Sequence, residues 1–301
     1  MKVPKELQAL IDDGVIDQVL RPLKSGKEAS VYVVRAGTEV RCAKVYKNMA
    51  QRSFQQRAQY QEGRQVRGSR SARAVGKRTR FGRKEEESAW KNTEVDALYQ
   101  LQAAGVRVPK PFGYIDGVLV MELLTDAEGR SAPSLDDIEL EPAQAREYHA
   151  FLIRQVQLML CAGLIHGDLS AYNVLVTDAG PVIIDLPQAV NAAGNNNARA
   201  MLLRDVENVT STLARFAPEL AATRYGEEMW ALYARADLHT DTPLTGEFAD
   251  DESIVDVDGV REVIDAALAE NDRRQQGREV ADGKRQQKLI EDDLNPEFDS
   301  V

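Results

Sequence analysis

The chain has 301 residues, 43% of them hydrophobic and 6% aromatic, and a formal net charge of -10, enough apolar material for one large domain or two lobes sharing a core and too much for a wholly disordered chain. Two cysteines, Cys42 and Cys161, exclude a disulfide scaffold, and with His149, His166 and His239 they make no familiar zinc spacing. The opening MKVPKELQAL has no signal-peptide core, and no stretch reaches the ~18 apolar residues of a membrane span, so a cytoplasmic protein without membrane partners is expected.

In chain order, residues 1–21 read as a short helical extension, with Leu7, Leu10, Ile11 and Val15 at helical intervals. Over 22–46 the period changes to two, predicting two strands that turn at Ala36-Gly37-Thr38. Residues 47–84 then carry twelve Lys or Arg against the single acid Glu62, a local charge of +11 that leaves -21 on the remainder. This segment, with its core at 48–84, reads as a basic flexible loop able to meet an anionic partner. A helix is predicted over 85–104, with Ala89, Trp90, Ala97, Leu98 and Leu101 as its stripe and Gly105 as its stop. Two strands around Asp116-Gly117 follow, with a lobe boundary near Met121 to Leu124. Further helices are expected at 143–162, 198–216, 218–234 and 254–269, and two short strands at 173–176 and 182–185. The division expected is an extension over 1–21, a β-rich lobe over 22–121, a helical lobe over 122–270 and a polar tail over 271–301.

The chemistry-bearing stretch is His166-Gly167-Asp168-Leu169-Ser170-Ala171-Tyr172-Asn173, with Asp185 twelve positions later in VIIDLP. An aspartate in a rigid turn can orient or deprotonate a nucleophile. The Asn173 amide oxygen and the Asp185 carboxylate are hard donors of the kind magnesium takes, and magnesium on phosphates neutralises charge in phosphoryl transfer. Upstream, the turn Lys24-Ser25-Gly26-Lys27-Glu28-Ala29-Ser30 offers backbone amides and the Ser25 hydroxyl to phosphate oxygens. Lys44 lies among apolar neighbours in a strand, where its charge needs an anion. Glu94, on the inward side of the following helix, is the expected partner, and such a pair positions nucleotide phosphates.

Taken together, these motifs resemble the RIO family of atypical serine/threonine kinases, most closely its RIO1-type branch. Ser25-Gly26-Lys27-Glu28-Ala29 resembles the family's phosphate loop, with Lys24 where a small residue is usual. Ala43-Lys44-Val45-Tyr46 resembles its lysine strand, Trp90 and Glu94 its glutamate helix, and Met121-Glu122-Leu123 its adenine-binding hinge. His166 to Asn173 resembles the catalytic loop, and Asp185 in Ile183-Ile184-Asp185-Leu186-Pro187-Gln188 the metal-binding segment. The resemblance spans about residues 20–235. It implies an α+β fold of two lobes, a small β-rich N-lobe and a mainly helical C-lobe, with no long activation segment. It implies ATP and Mg2+ (or Mn2+) as cofactors, Asp168 as catalytic base and Asn173 and Asp185 as metal ligands. Lys44 and Glu94 become the nucleotide-positioning pair, Ser25 and Lys27 part of the phosphate loop, and Glu122 and Leu123 part of the hinge. In the family the metal-site aspartate has been linked to an acyl phosphate, so Asp185 is a candidate for phosphorylation.

Three activities fit these readings. One is transfer of phosphate to protein Ser/Thr, autophosphorylation included. Another is an ATPase switch in maturation of a ribosomal or RNA–protein particle, with loop 48–84 touching ribosomal RNA phosphates or a ribosome-associated protein. The third is a small-molecule kinase, against which the phosphate turn and Leu186-Pro187-Gln188 weigh. With about 20 residues before the phosphate loop, the winged-helix domain of RIO2-type proteins is not expected.

Overall fold

The computed structural model describes residues 3–26, 29–46 and 94–249. Loop 48–84, Lys27, Ala89, Trp90, the helix expected over 254–269 and the tail lie outside the described residues.

The fold begins with helix α1 (Lys5–Asp12), which buries Leu7 and Leu10. Strands β1 (Gln18–Ser25), β2 (Ala29–Ala36) and β3 (Glu39–Tyr46) follow, then helix α2 over 94–103. Strands β4 (Pro111–Ile115) and β5 (Val118–Glu122) complete an antiparallel sheet in the order β1-β2-β3-β5-β4. The β4–β5 connection has Asp116 and Gly117 both at positive φ, 49° and 81°. That geometry matches the right-handed twist of the flanking strands and favours an Asp-Gly pair.

β1 corrects the expectation of a helical extension up to residue 21. Its pairing with β2 is irregular between Val19 and Arg21 and again between Pro22 and Lys24, which erases the period-2 signal. A proline is tolerated there because β1 is an edge strand.

Alternation along the sheet sorts its two faces. Ala43, Val45, Val118 and Val120 join Leu7, Leu10 and Ile16 in a core beneath α1. Tyr46 and Leu119 face the other way, into the larger core that continues through Leu98 and Leu101 to the helical region. Lys44 shares the Tyr46 face.

The helical region is built on α3 (Pro142–Cys161) and α4 (Ala198–Ala214). Pro142 opens α3 and Gly163 closes it at φ 78°. Between the two helices lie β6 (Leu164–Ile165), β7 (Val174–Thr177), β8 (Gly180–Ile183) and β9 (Val190–Asn191), paired as β6/β9 and β7/β8. The helix expected over 218–234 is in fact two pieces, a 3-10 turn at Pro218–Ala222 and α5 (Tyr225–Ala234). Thr223 between them is extended, and the Arg224 N–H donates to the Gly246 carbonyl at 2.7 Å. Gly246 is required at that approach, because a Cβ there would lie 2.8 Å from the Tyr225 ring. No helix among the described residues is long and apolar enough to cross a membrane.

Candidate active site

Lys44 sits mid-strand in β3, opposite Val31 of β2 and Leu119 of β5. Its Nζ donates to Glu94 Oε1 at 2.5 Å and to Asp185 Oδ1 at 2.9 Å. Three residues separated by 50 and 141 positions thus meet at one ammonium group. Only 12% of the Lys44 side chain and 5% of Glu94 are accessible, against 47% of Asp185. Burial drives the Lys44 pKa down, but the Glu94 and Asp185 carboxylates outweigh it and hold the ammonium above its ordinary range. Asp185 answers in the opposite sense: burial pushes it up, and Lys44 more than offsets this to leave it below the usual carboxylate range.

The second Glu94 oxygen is also engaged. Tyr46 donates its hydroxyl to Glu94 Oε2 at 2.7 Å. Burial and the Glu94 charge both raise the Tyr46 pKa, keeping the phenol protonated as a donor. Tyr46 stands in the lysine-strand motif without a role assigned to it, although its position two residues beyond Lys44 on a strand puts both on one face.

Asp185 was expected at the end of a strand. β8 stops at Ile183 instead, and Asp185 follows in a turn with φ 66°. A non-glycine residue there costs about 1–2 kcal/mol, and its carboxylate is ion-paired with Lys44. The Ile184 N–H donates to Asn173 O at 2.9 Å, and His166 Nε2 bonds Ile184 O at 3.0 Å. Because the Asp168 N–H donates to His166 Nδ1 at 3.3 Å, Nε2 carries the ring proton and donates to Ile184. The segment from His166 to Asn173 and the segment through Asp185 therefore run side by side.

Asp168 is itself exposed. Partial desolvation of its carboxyl raises its pKa, with Asp185 adding to the rise and His166 and Arg204 opposing it, a direction that suits a proton acceptor. Its carbonyl accepts Asn173 Nδ2 at 2.8 Å, and its Oδ2 accepts Gln188 Nε2 at 3.0 Å. With the amide nitrogen of Asn173 so committed, its oxygen is the end left to accept or to ligate. Asn173 and Asp185 thus supply hard oxygen donors suited to magnesium completed by phosphate and water. Among the described residues no three or more His, Cys, Asp or Glu side chains group as a metal cage.

The loop main chain is pinned by α4. Asp205, 1% exposed, accepts the Gly167 N–H at 2.7 Å and the Leu169 N–H at 2.9 Å. Arg204 donates to the Gly167 carbonyl, and Asn208 Nδ2 to Leu169 O at 2.9 Å. Burial raises the Asp205 pKa against the pull of these donors and of His166 and Arg204. The helix expected over 198–216 was read without Asp205, which lies in its apolar stripe of Leu202, Val206 and Val209. The signal was present, since an acid three places after Leu202 and four before Val209 falls inside that stripe.

The other expected site residues are placed as follows. Ser25 Oγ lies 3.1 Å from Ser30 Oγ, and the Gly26 N–H donates to Ala29 O at 2.9 Å, closing the turn before β2. The Glu122 carboxylate does not face Lys44. It takes Arg107 at 2.9 and 2.8 Å and the Lys110 N–H at 3.0 Å, which lower its pKa against the effect of burial. Leu123 follows directly after β5 and is half-buried. Any nucleotide contact at Glu122 therefore falls to its main chain.

The RIO domain family model matches residues 30–225, a span that includes Lys44, Glu94, Asp168, Asn173 and Asp185. The chain belongs to the RIO family of atypical serine/threonine kinases, on its RIO1-type branch. The RIO-type kinase Rio1 of Haloferax volcanii is 37% identical over 212 residues, covering 68% of this chain and 67% of that protein. RIO1 of Chaetomium thermophilum is 30% identical over 274 residues, covering 86% of this chain and 48% of the relative. Human RIO1 is 28% identical over 217 residues, covering 71% and 36%. The chain thus spans two thirds of the archaeal relative and less than half of these two eukaryotic ones. The RIO fold is α+β, and here its β-rich part supplies Lys44 while its helical part supplies Asp168, Asn173 and Asp185.

Proposed function

We propose that the chain binds ATP with Mg2+ (or Mn2+) and transfers the γ-phosphoryl group to protein Ser or Thr, its own included. The observation that carries this reading is the Lys44 ammonium bridging Glu94 and Asp185. A buried lysine between two carboxylates is a preformed anchor for phosphate oxygens. The ion, when bound, neutralises charge building on the phosphates, and Asn173 and Asp185 are the residues to hold it. Lys44 then donates to phosphate oxygens while Glu94, steadied by Tyr46, holds it in place. Asp168 accepts the proton of the attacking hydroxyl. Ser25 and Gly26 line the phosphate side, Lys27 belongs to the same sequence motif, and the main chain at Glu122 and Leu123 forms the adenine side.

A second reading is an ATPase switch in ribosome or RNA–protein particle maturation. It is favoured by the Asp185 carboxylate, which is accessible over 47% of its surface. In that reaction an Asp185 oxygen attacks the γ-phosphorus, the bond to ADP breaks, and water later cleaves the acyl phosphate. The +11 charge over 47–84 suits RNA backbone or an acidic protein as the partner.

The test incubates the pure protein with γ-labelled ATP and Mg2+ and separates free phosphate, phospho-Ser/Thr and hydroxylamine-labile label. Stable Ser/Thr label supports transfer to protein, whereas dominant free phosphate with labile label supports the switch. Asp185→Asn is expected to cut metal-dependent turnover at least ~100-fold; wild-type turnover in that variant would overturn both readings.

A further inference from the structure

We propose that Gln188 is a positioning residue for the reaction, holding the Asp168 carboxylate so that one oxygen faces the acceptor. This rests on the reading of Asp168 as the base.

The main chain of Asp168 is fixed at both ends, its N–H on His166 and its carbonyl on Asn173. Those bonds place its Cα but leave the carboxylate free to rotate, and the side chain lies at an exposed position. Among the described residues the side chain bonded to that carboxylate is Gln188, whose Nε2 donates to Oδ2 at 3.0 Å. With Oδ2 held, Oδ1 is the oxygen presented to a hydroxyl or a water. An exposed aspartate populates several rotamers, and a general base needs its acceptor atom within hydrogen-bond reach of the proton it takes.

Gln188 is well supported for that task. It follows the buried Leu186 and Pro187, in a turn closed by the Ala189 N–H donating to Leu186 O at 3.0 Å. Immediately beyond, Val190 pairs with Ile165, the residue just before His166. The amide therefore projects from a segment bonded to the catalytic loop on both sides, through Ile184 to His166 and through β9 to β6. It also lies three residues after Asp185. The segment that carries the phosphate-side carboxylate therefore sets the orientation of the base, linking the two ends of the reaction by one hydrogen bond. A carboxamide suits the role, because it donates without adding a charge that would compete with Lys44 for Asp185.

The test uses Gln188→Met, which keeps the length and apolar stem and removes the donor, with Gln188→Ala as a second variant in the full chain. kcat for γ-phosphate turnover is expected to fall on the order of tenfold in both, a fraction of what general-base catalysis supplies, while KM for ATP and the thermal melting point stay at wild-type values. In an Asp168→Asn background, adding Gln188→Met is expected to change kcat less than twofold, because there is no longer a base to orient. Wild-type kcat in Gln188→Met, a KM that rises with the fall in kcat, or a full tenfold loss on top of Asp168→Asn would each overturn the proposal. Wild-type turnover in Asp168→Asn alone would remove the base reading itself, and this proposal with it.

Discussion

The sheet side and the loop side of the site hold their polar groups by opposite means. On β3, a buried ammonium is balanced by two carboxylates, and the nearer carboxylate is held in turn by the Tyr46 hydroxyl. On the loop, the Asp168 carboxylate stands at the surface while the backbone beneath it is tied to Asp205, Arg204 and Asn208 of α4. The difference follows from what each side is proposed to do. Lys44 has to stay charged in a low-dielectric place, so it is paired. Asp168 has to meet a mobile acceptor, so rigidity is supplied to its main chain and its side chain is left accessible.

That contrast can be broken most sharply at α4. Asp205→Ala leaves the Gly167 and Leu169 N–H groups without their acceptor in a buried place, and about 4 kcal/mol of stability is expected to be lost. Urea denaturation measures it, and a loss below about 1 kcal/mol would show that the loop does not depend on this anchor. The next effect is a pH dependence in the helical region. His149 of α3 has Nε2 2.9 Å from Thr210 Oγ1 of α4, and burial lowers its pKa to about 4. The unfolded ring takes its proton near 6.5, earlier than the folded one, so this contribution is intact above that pH. It declines as the pH falls toward 4, by up to about 3 kcal/mol. The drop between pH 7 and pH 4 should be smaller by that amount in His149→Gln; equal drops in the two proteins would mean the ring is not buried neutral. The smallest effect belongs to the sheet side. Tyr46→Phe removes one hydrogen bond to a charged acceptor and is expected to cost about 1.5 kcal/mol, together with a several-fold rise in KM for ATP as Glu94 loosens. An unchanged KM would separate Tyr46 from nucleotide positioning.

The ion pair Lys44–Glu94 was legible because a lysine flanked by apolar strand residues needs an anion, and a glutamate on the inward face of the next helix is the nearest supply. The pairing of β4 with β5 was legible from Asp116-Gly117, and α3 from the helical periodicity over 143–162. β1 was hidden because two irregularities in its pairing with β2 broke the alternation. The break at Thr223-Arg224 was hidden because its cause, the Gly246 carbonyl, lies 22 residues further on. Gln188 appeared only as part of a motif, since nothing in its neighbours says that its amide reaches Asp168, 20 residues back.

Local order and spacing were enough to determine most of the strands and helices, β1 and the break at Thr223-Arg224 excepted, and which residues carry charge in apolar surroundings, because periodicity and turn chemistry act over a few residues. The tertiary structure alone decided which oxygen each donor reaches: Lys44 on both Glu94 and Asp185, Tyr46 on the remaining Glu94 oxygen, Gln188 on one oxygen of Asp168, and Arg107 on both oxygens of Glu122. Hydrogen bonds fall off within tenths of an ångström, and no pattern of residue types specifies positions that finely until the sheet and the helices have packed.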